Sequence, residues 1–390
     1  DAVFVGCLLM FLATMSLVCL SQHLGLLWVA VEATTLASAP LISFHRHHRS
    51  LEAMWKYLLI CSVGIALALL GTFCLAYAAQ GQAVGLSLPD VVGKAALMEP
   101  IWLKMAFILM LIGYGTKMGL APMHTWLPDA HSEAPAMVSA LLSGALLNCA
   151  FLGLLRGHAV LSAAGLERFS GDLLIVFGLG SMGVAAVFLV RQGDYKRMLA
   201  YSSVEHMGIM ALGTGLGGLA GVGALLHAIN HSMVKGMLFL TAGNLLATHG
   251  TKSVAAVRGV LRGTPATGCL WVAGFLAITG APPFGLFVSE LTILRGIVDG
   301  RHWGIAAVYL LALGVVLVGL ARMVLPMAFG LPAAPGEKSP GTMTSVRAGE
   351  PAWAIVPPLV LITTVLILGL YVPPCVWRFL QTAAQAGVQP

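Results

Sequence analysis

An all-α polytopic membrane protein of about eleven transmembrane helices is predicted, and three observations predict it. The chain of 390 residues is 58% hydrophobic and only 9% charged, with a mean hydropathy of +0.92. Soluble domains carry about 25% charged residues. Apolar runs recur along the chain at the length a bilayer demands, about 20 residues per helix. Two of the runs are interrupted by glycine and proline, "GLAPMHTWLP" and "TGAPPFGLF". Such breaks survive in lipid only where protein or water satisfies the freed backbone groups. Broken helices in both halves of a chain point to an internal repeat of the transporter type, with a site near the midplane.

The runs fall at about 2–21, 24–44, 54–79, 101–130, 134–155, 172–190, 198–217, 220–248, 264–298, 303–329 and 352–373. They divide one transmembrane domain, 1–373, into a first half of about 1–155, a second of about 172–329 and an extra helix at 352–373. The stretch 330–351, with "AAPGEKSPGTMTSVRAGE", reads as a polar loop, and 374–390 as a C-terminal tail. The 46 glycines suit helices that pack closely.

Net charge of +6 sits mostly between the runs, so it reports topology and not nucleic-acid binding. Alternating sides place Arg46, Arg49, Lys56, Arg191, Lys196, Arg197, Lys252, Arg258, Arg262, Lys338 and Arg347 on one face. Lys94, Lys104, Arg156, Arg168, Arg295, Arg301 and Arg378 fall on the other. The positive-inside rule makes the first face cytoplasmic, with Asp1 inside and Pro390 outside. Seven scattered cysteines without a C-x-x-C pair argue against an iron–sulfur or zinc site.

The chemistry lies in ionisable residues within the runs, each costing about 2.5–3.5 kcal/mol at a helix centre. Glu32 sits midway along "LGLLWVAVEATTLASAPLISF". Lys117 closes the first half of a broken helix, and Glu290 follows the second break. His227, His231 and Lys235, spaced four and four, share one helical face. Imidazole titrates near neutral pH and passes a proton through its two nitrogens, so this row reads as a relay. The plainer alternative is helix–helix hydrogen bonding. His-x-x-x-His is also metal-ligand spacing, but no acidic or cysteine partner lies nearby in sequence, and no metal is expected. Asp129, His131 and Glu133 form a polar cluster beside a suspected aqueous mouth. Glu205 and His206 read equally as a half-channel or an interhelical hydrogen-bond site.

"TKMGLAPMHTWLPDAHSEAPAMVSALLSG", "DYKRMLAYSSVEHMG", "LLHAINHSMVKGMLFLTAG" and "ITGAPPFGLFVSE" stand in that order. Together they closely resemble the antiporter-like proton-channel subunits of respiratory complex I, Mrp antiporters and membrane-bound group 4 hydrogenases. With "VEATTLASAPL", "SSVEHMG" is most similar to component F of hydrogenase-4 and formate hydrogenlyase-type complexes. The resemblance implies two five-helix inverted repeats, each with one broken helix, around a hydrophilic axis. It pairs Glu32 with Lys117, makes His227, His231 and Lys235 the central connection, and makes Glu290 the terminal group.

One position departs from the pattern. Where relatives place a lysine or histidine, this chain has Asn148, which orders water but takes no proton at working pH. Compared with typical members the chain is expected to lack about three N-terminal helices. The resemblance further implies a bacterial or archaeal inner membrane and partner subunits, membrane-bound and peripheral. Iron–sulfur clusters or nickel–iron would lie in those partners, with no redox site or cofactor in this chain. Protons are the expected cargo, with Na⁺ as the alternative. Two rival readings are a Na⁺/H⁺ antiporter or inorganic-carbon uptake subunit without a redox partner, and a purely structural anchor.

Overall fold

The computed structural model describes residues 2–80, 85–331 and 350–385. Asp1, most of the polar loop with Lys338 and Arg347, and 386–390 lie outside the described residues. Among the described residues the regular elements are helices, with no strand. It begins with α1 (Ala2–Leu20), α2 (Leu24–Ile42), α3 (His48–Ala78), the short α4 (Leu88–Lys94) and α5 (Pro100–Met118). Next come α6 (Trp126–Glu133), α7 (Ala136–Leu141), α8 (Leu147–Ala163), α9 (Glu167–Leu189), α10 (Tyr195–Leu216) and α11 (Gly218–His249). The remainder is α12 (Val260–Gly263), α13 (Pro265–Ile278), α14 (Gly285–Asp299), α15 (Trp303–Phe329), α16 (Ala352–Leu370) and α17 (Pro374–Gln385).

Eight stretches are long and apolar enough to cross a membrane: α1, α2, α3, α5 with α6, α7 through α8, α9, α15 and α16. The other three predicted runs are helical but fall outside that set. α10 and α11 carry polar and ionisable residues, and 264–298 is split into α13 and α14. α10 shows why a polar helix is tolerated here. Every residue from Met198 to Thr214 is buried, so protein and not lipid surrounds it.

Close glycine contacts allow that enclosure. A Cβ at Gly178 would lie 2.7 Å from the Gly208 carbonyl oxygen, and one at Gly171 2.5 Å from that of Gly215. Two glycines seven residues apart on α9 thus meet two on α10, and the backbones touch. Gly208→Leu is expected to separate the pair and lower the melting temperature of the purified protein by several degrees, because overpacking costs about 1–3 kcal/mol. A thermal scan that matches wild type would refute this packing.

Both interruptions lie where the sequence places them. α5 ends at Met118, and Gly119 follows in the left-handed region at φ 85°, a conformation that favours glycine. Its neighbours supply the lost partners: Trp126 Nε1 donates to the Thr116 carbonyl at 2.8 Å, and the Ala121 amide donates to Ser181 Oγ at 2.9 Å. Gly280 repeats the left-handed turn at φ 63° after α13, and Asn230 Nδ2 donates to the Gly285 carbonyl at 3.1 Å.

Two features depart from the expected outline. The run 134–155 is a longer helical stretch, Ala136–Ala163, with one π-helical turn at Leu142–Leu146. There Gly144 approaches the Ser232 backbone, where a Cβ would lie 2.9 Å from its carbonyl oxygen. The expected tail instead begins as α17, whose Leu380 packs with Val222 and Leu226 of α11. Glu350, at the end of the polar loop, accepts from the Ala266 and Thr267 amides at 2.8 and 2.7 Å, capping α13.

Candidate functional site

Lys117 sits in the last turn of α5, fully buried. Its ammonium donates to Thr35 Oγ1 at 2.8 Å and to the Tyr57 hydroxyl at 2.6 Å, and lies 4.5 Å from the Tyr57 ring centroid. Thr35 Oγ1 in turn donates to Glu32 Oε2 at 3.2 Å, and Ser62 Oγ donates to Glu32 Oε1 at 2.7 Å. Glu32 and Lys117 therefore belong to one cluster, but they form no direct ion pair among the described residues. Thr35 is three residues beyond Glu32 on α2, which puts the two on neighbouring positions of one face. A hydroxyl that accepts from the lysine and donates to the carboxylate is a proton-transfer link. The sequence reading passed over Thr35, Tyr57 and Ser62. For Thr35 the signal is a hydroxyl one turn from Glu32; Tyr57 and Ser62 lie on α3 and carry none.

The second cluster centres on α11, where His227, His231 and Lys235 are all fully buried. They share a face, as expected, but do not touch in a row. No hydrogen bond joins one of the three to the next among the described residues, the partners of His227 and Lys235 lying on other helices. α10 fills the gap. His206 Nδ1 lies 2.8 Å from His227 Nε2, and its ring centroid is 5.2 Å from that of His231. His206 is therefore a member of the axis. On the far side, His227 Nδ1 lies 3.0 Å from Ser289 Oγ of α14. Ser289 also donates to the Leu286 carbonyl at 2.9 Å, which leaves its oxygen to accept from His227 Nδ1–H. His227 Nε2 then accepts from His206.

Lys235 donates to the Leu199 carbonyl at 2.6 Å and to Ser202 Oγ. Both nitrogens of His231 lack a protein partner, as does Glu290 Oε1. Glu290 lies against Gly280, where a missing Cβ leaves room for its carboxylate. Glu205, also buried, interacts electrostatically with Glu290 and Lys235. The second broken helix thus delivers a carboxylate to the histidines.

His206, His227 and Glu290 each bring one donor atom within 4.8 Å of the others. Tertiary folding supplies the acidic partner that is missing near His-x-x-x-His in sequence, and such a set can hold a cation. The facing nitrogens of the two histidines already meet in a hydrogen bond, which suits a shared proton better.

Between the two clusters stands Asn148. Its Nδ2 donates to Ser232 Oγ at 2.6 Å and to the Ala228 carbonyl at 3.3 Å, joining α8 to α11, while buried Oδ1 has no partner. Ser232, next to His231 on α11, anchors Asn148 and is therefore no neutral position for a control substitution. Met233 is the better control.

The suspected aqueous mouth resolves into two parts. Asp129 pairs with Lys56 at 3.1 Å and Arg197 at 2.9 Å, and Glu133 pairs with Lys252 at 2.9 Å. Lys196 and Lys252 also donate to the Ser132 carbonyl at 3.2 and 3.0 Å, capping the C-terminal end of α6. This belt is ionic and partly exposed. His131 is not part of it. Two residues, about 200° round α6, place it on the opposite face, where it is fully buried and stacks on Phe239 at 4.9 Å, with both ring nitrogens unpartnered. Lys196 on one side and Lys235 on the other are its charged neighbours.

The fold and site define a polytopic membrane protein with a buried polar axis through its centre. The chain belongs to the NADH:quinone oxidoreductase/Mrp antiporter transmembrane family, whose model matches residues 21–317. It is 38% identical over 373 residues to a hydrogenase-4 component F homolog of Methylacidiphilum infernorum, covering 94% of this chain and 75% of the relative. It superposes on a chain of the membrane-bound sulfane sulfur reductase, an archaeal respiratory membrane complex, with a TM-score of 0.87 at 26% identity, covering 98% and 75% of the two chains. For a chain of respiratory complex I from Thermus thermophilus the TM-score is 0.74 at 28% identity, covering 95% and 78%.

Proposed function

We propose that this chain is the proton-conducting, antiporter-like membrane subunit of a redox-driven ion-pumping complex, of the membrane-bound hydrogenase or complex I-like dehydrogenase kind. The observation that carries the reading is the run of ionisable groups within the helices, from half-buried Glu32 and buried Lys117 to the buried histidines and Glu290, with Asn148 between them. Burying that many such groups is costly unless they do work. The relatives with which the chain shares its family support the redox setting.

In this reading Lys117 releases a proton to Thr35 as Thr35 passes its own to Glu32. His206 links His227 to His231, and Glu290 receives the proton beside the second break. His131 forms an access branch between the ionic belt at Lys196 and the axis at Lys235. Asn148 carries no proton, and water ordered at its free Oδ1 joins the two clusters. The halves at about 1–155 and 172–329 act as two inverted repeats. The basic-rich end faces the cytoplasm in a bacterial or archaeal inner membrane, with the N-terminal end of the chain on that side. Electron chemistry, with iron–sulfur or nickel–iron centres, belongs to partner subunits.

The test is coupled proton uptake by the assembled complex in proteoliposomes. Glu32→Gln keeps one of the two hydroxyl bonds, its amide nitrogen donating where the second carboxylate oxygen accepted, and removes the charge change. The rate is expected to fall about tenfold or more, about 1.4 kcal/mol of barrier. An unchanged rate would remove Glu32 from the pathway. Uptake that requires Na⁺ and persists without electron donor would favour the Na⁺/H⁺ antiporter reading instead.

A further inference from the structure

We propose that a recess on α15 binds an anionic phospholipid, with one acyl chain in the recess and the phosphate on Arg322. The recess has a volume of about 430 Å³ and is lined by Leu310, Leu311, Val315, Val318 and Val190, with Arg322 as its one charged member. Gly314 and Gly319 form its floor, and a Cβ at Gly314 would meet nothing within 4 Å. Leu311 and Val318 on its rim are 68% and 58% exposed, as expected of side chains that face lipid.

Arg322 is the feature that selects the occupant. It is exposed on a helix of membrane-spanning length, and no hydrogen bond or ion pair joins it to any described residue. An arginine in that setting is stable where it reaches water or an anion. The basic side chains of the ionic belt, Lys56, Arg197 and Lys252, all have carboxylate partners within the protein. Arg322 has no such partner among the described residues.

Its level fits a headgroup. α9 ends at Leu189, whose backbone oxygen is 3.4 Å from the position of a Gly319 Cβ. Arg191 follows two residues later, and Arg322 lies three residues past Gly319, roughly 5 Å along the axis. Arg258 runs beside Gly330 at the same end of α15, with its Cδ 3.0 Å from the Cβ position there. An apolar recess lined by one arginine, with Arg191 and Arg258 toward the same end of α15, matches a molecule with a hydrocarbon tail and an anionic head. Guanidinium binds phosphate through two parallel donors, and basic pockets between membrane helices take anionic headgroups.

The test reconstitutes the full chain in nanodiscs of dioleoylphosphatidylglycerol or dioleoylphosphatidylcholine, then counts retained lipids by native mass spectrometry after delipidation. Retention of phosphatidylglycerol over phosphatidylcholine is expected. Arg322→Gln should lower that retention about tenfold, the loss of a charge-assisted pair, and Gly314→Leu should do so by filling the recess. Arg295→Gln, which removes an exposed partner of Asp299 on α14, should leave retention unchanged. Equal retention of both lipids, or no effect of Arg322→Gln, would overturn the proposal. So would Gly314→Leu detaching a neighbouring subunit from the assembled complex with lipid retention intact, which would make this face a protein interface.

Discussion

Replacing Lys117 with methionine is expected to abolish coupled proton translocation while leaving the protein at least as stable as wild type. The two effects part because of the local bonding. Without the ammonium, Thr35 still donates to Glu32, and the Tyr57 hydroxyl still meets Ser38 Oγ at 2.6 Å. No buried polar group of that cluster is stranded, and a buried cation without a direct counter-ion is exchanged for an apolar side chain of similar length. A buried charge without a direct counter-ion is costly, and its apolar replacement removes that cost. Thermal unfolding should therefore hold or rise by a few degrees, while the proton uptake rate falls by at least about 100-fold, roughly 2.7 kcal/mol in the barrier. Lys117→Arg is a sharper probe, because guanidinium stays protonated at any working pH. It should assemble and fail to conduct. Normal uptake by either variant would leave the cluster a packing device.

His206→Leu should be nearly as damaging, and more so than a change at Met233 one helical face away from the ladder. His206 is the side chain that closes the spacing between His227 and His231, so its loss splits the axis in two. His206→Gln separates hydrogen bonding from proton carriage. Its amide can still donate to His227 Nε2 but cannot cycle through a charged form. Uptake by both variants is expected to fall by about 10- to 100-fold, the usual weight of a positioned proton-transfer group, with the complex intact on a native gel. Wild-type rates in His206→Gln would show that the histidine only orders its neighbour.

These residues also separate what one dimension of information decides from what needs three. The membrane class, the two broken helices and the identity of Glu32, Lys117, His227, His231, Lys235 and Glu290 were all legible in the chain. Apolar run length, Gly/Pro interruption and charge in an apolar setting are local properties, and lipid penalises each of them independently of the fold. Helical periodicity likewise put the three α11 groups on one face before any packing was known.

Partner identity was not local. Which hydroxyl stands between Glu32 and Lys117 depends on how α2, α3 and α5 pack. His206 entered the axis because Gly178 and Gly208 let α9 and α10 close up, burying α10 on all sides. His131 parts from its charged neighbours in sequence because half a turn of α6 separates an ionic rim from an apolar interior. Arg322 lies in a long apolar run, and only the fold shows it exposed with no carboxylate partner among the described residues. The sequence by itself determined which groups are too costly to bury without a purpose, because that cost is paid residue by residue. The tertiary structure decided which of them meet, because hydrogen bonds act over about 3 Å and only packing brings helices distant in sequence within that range.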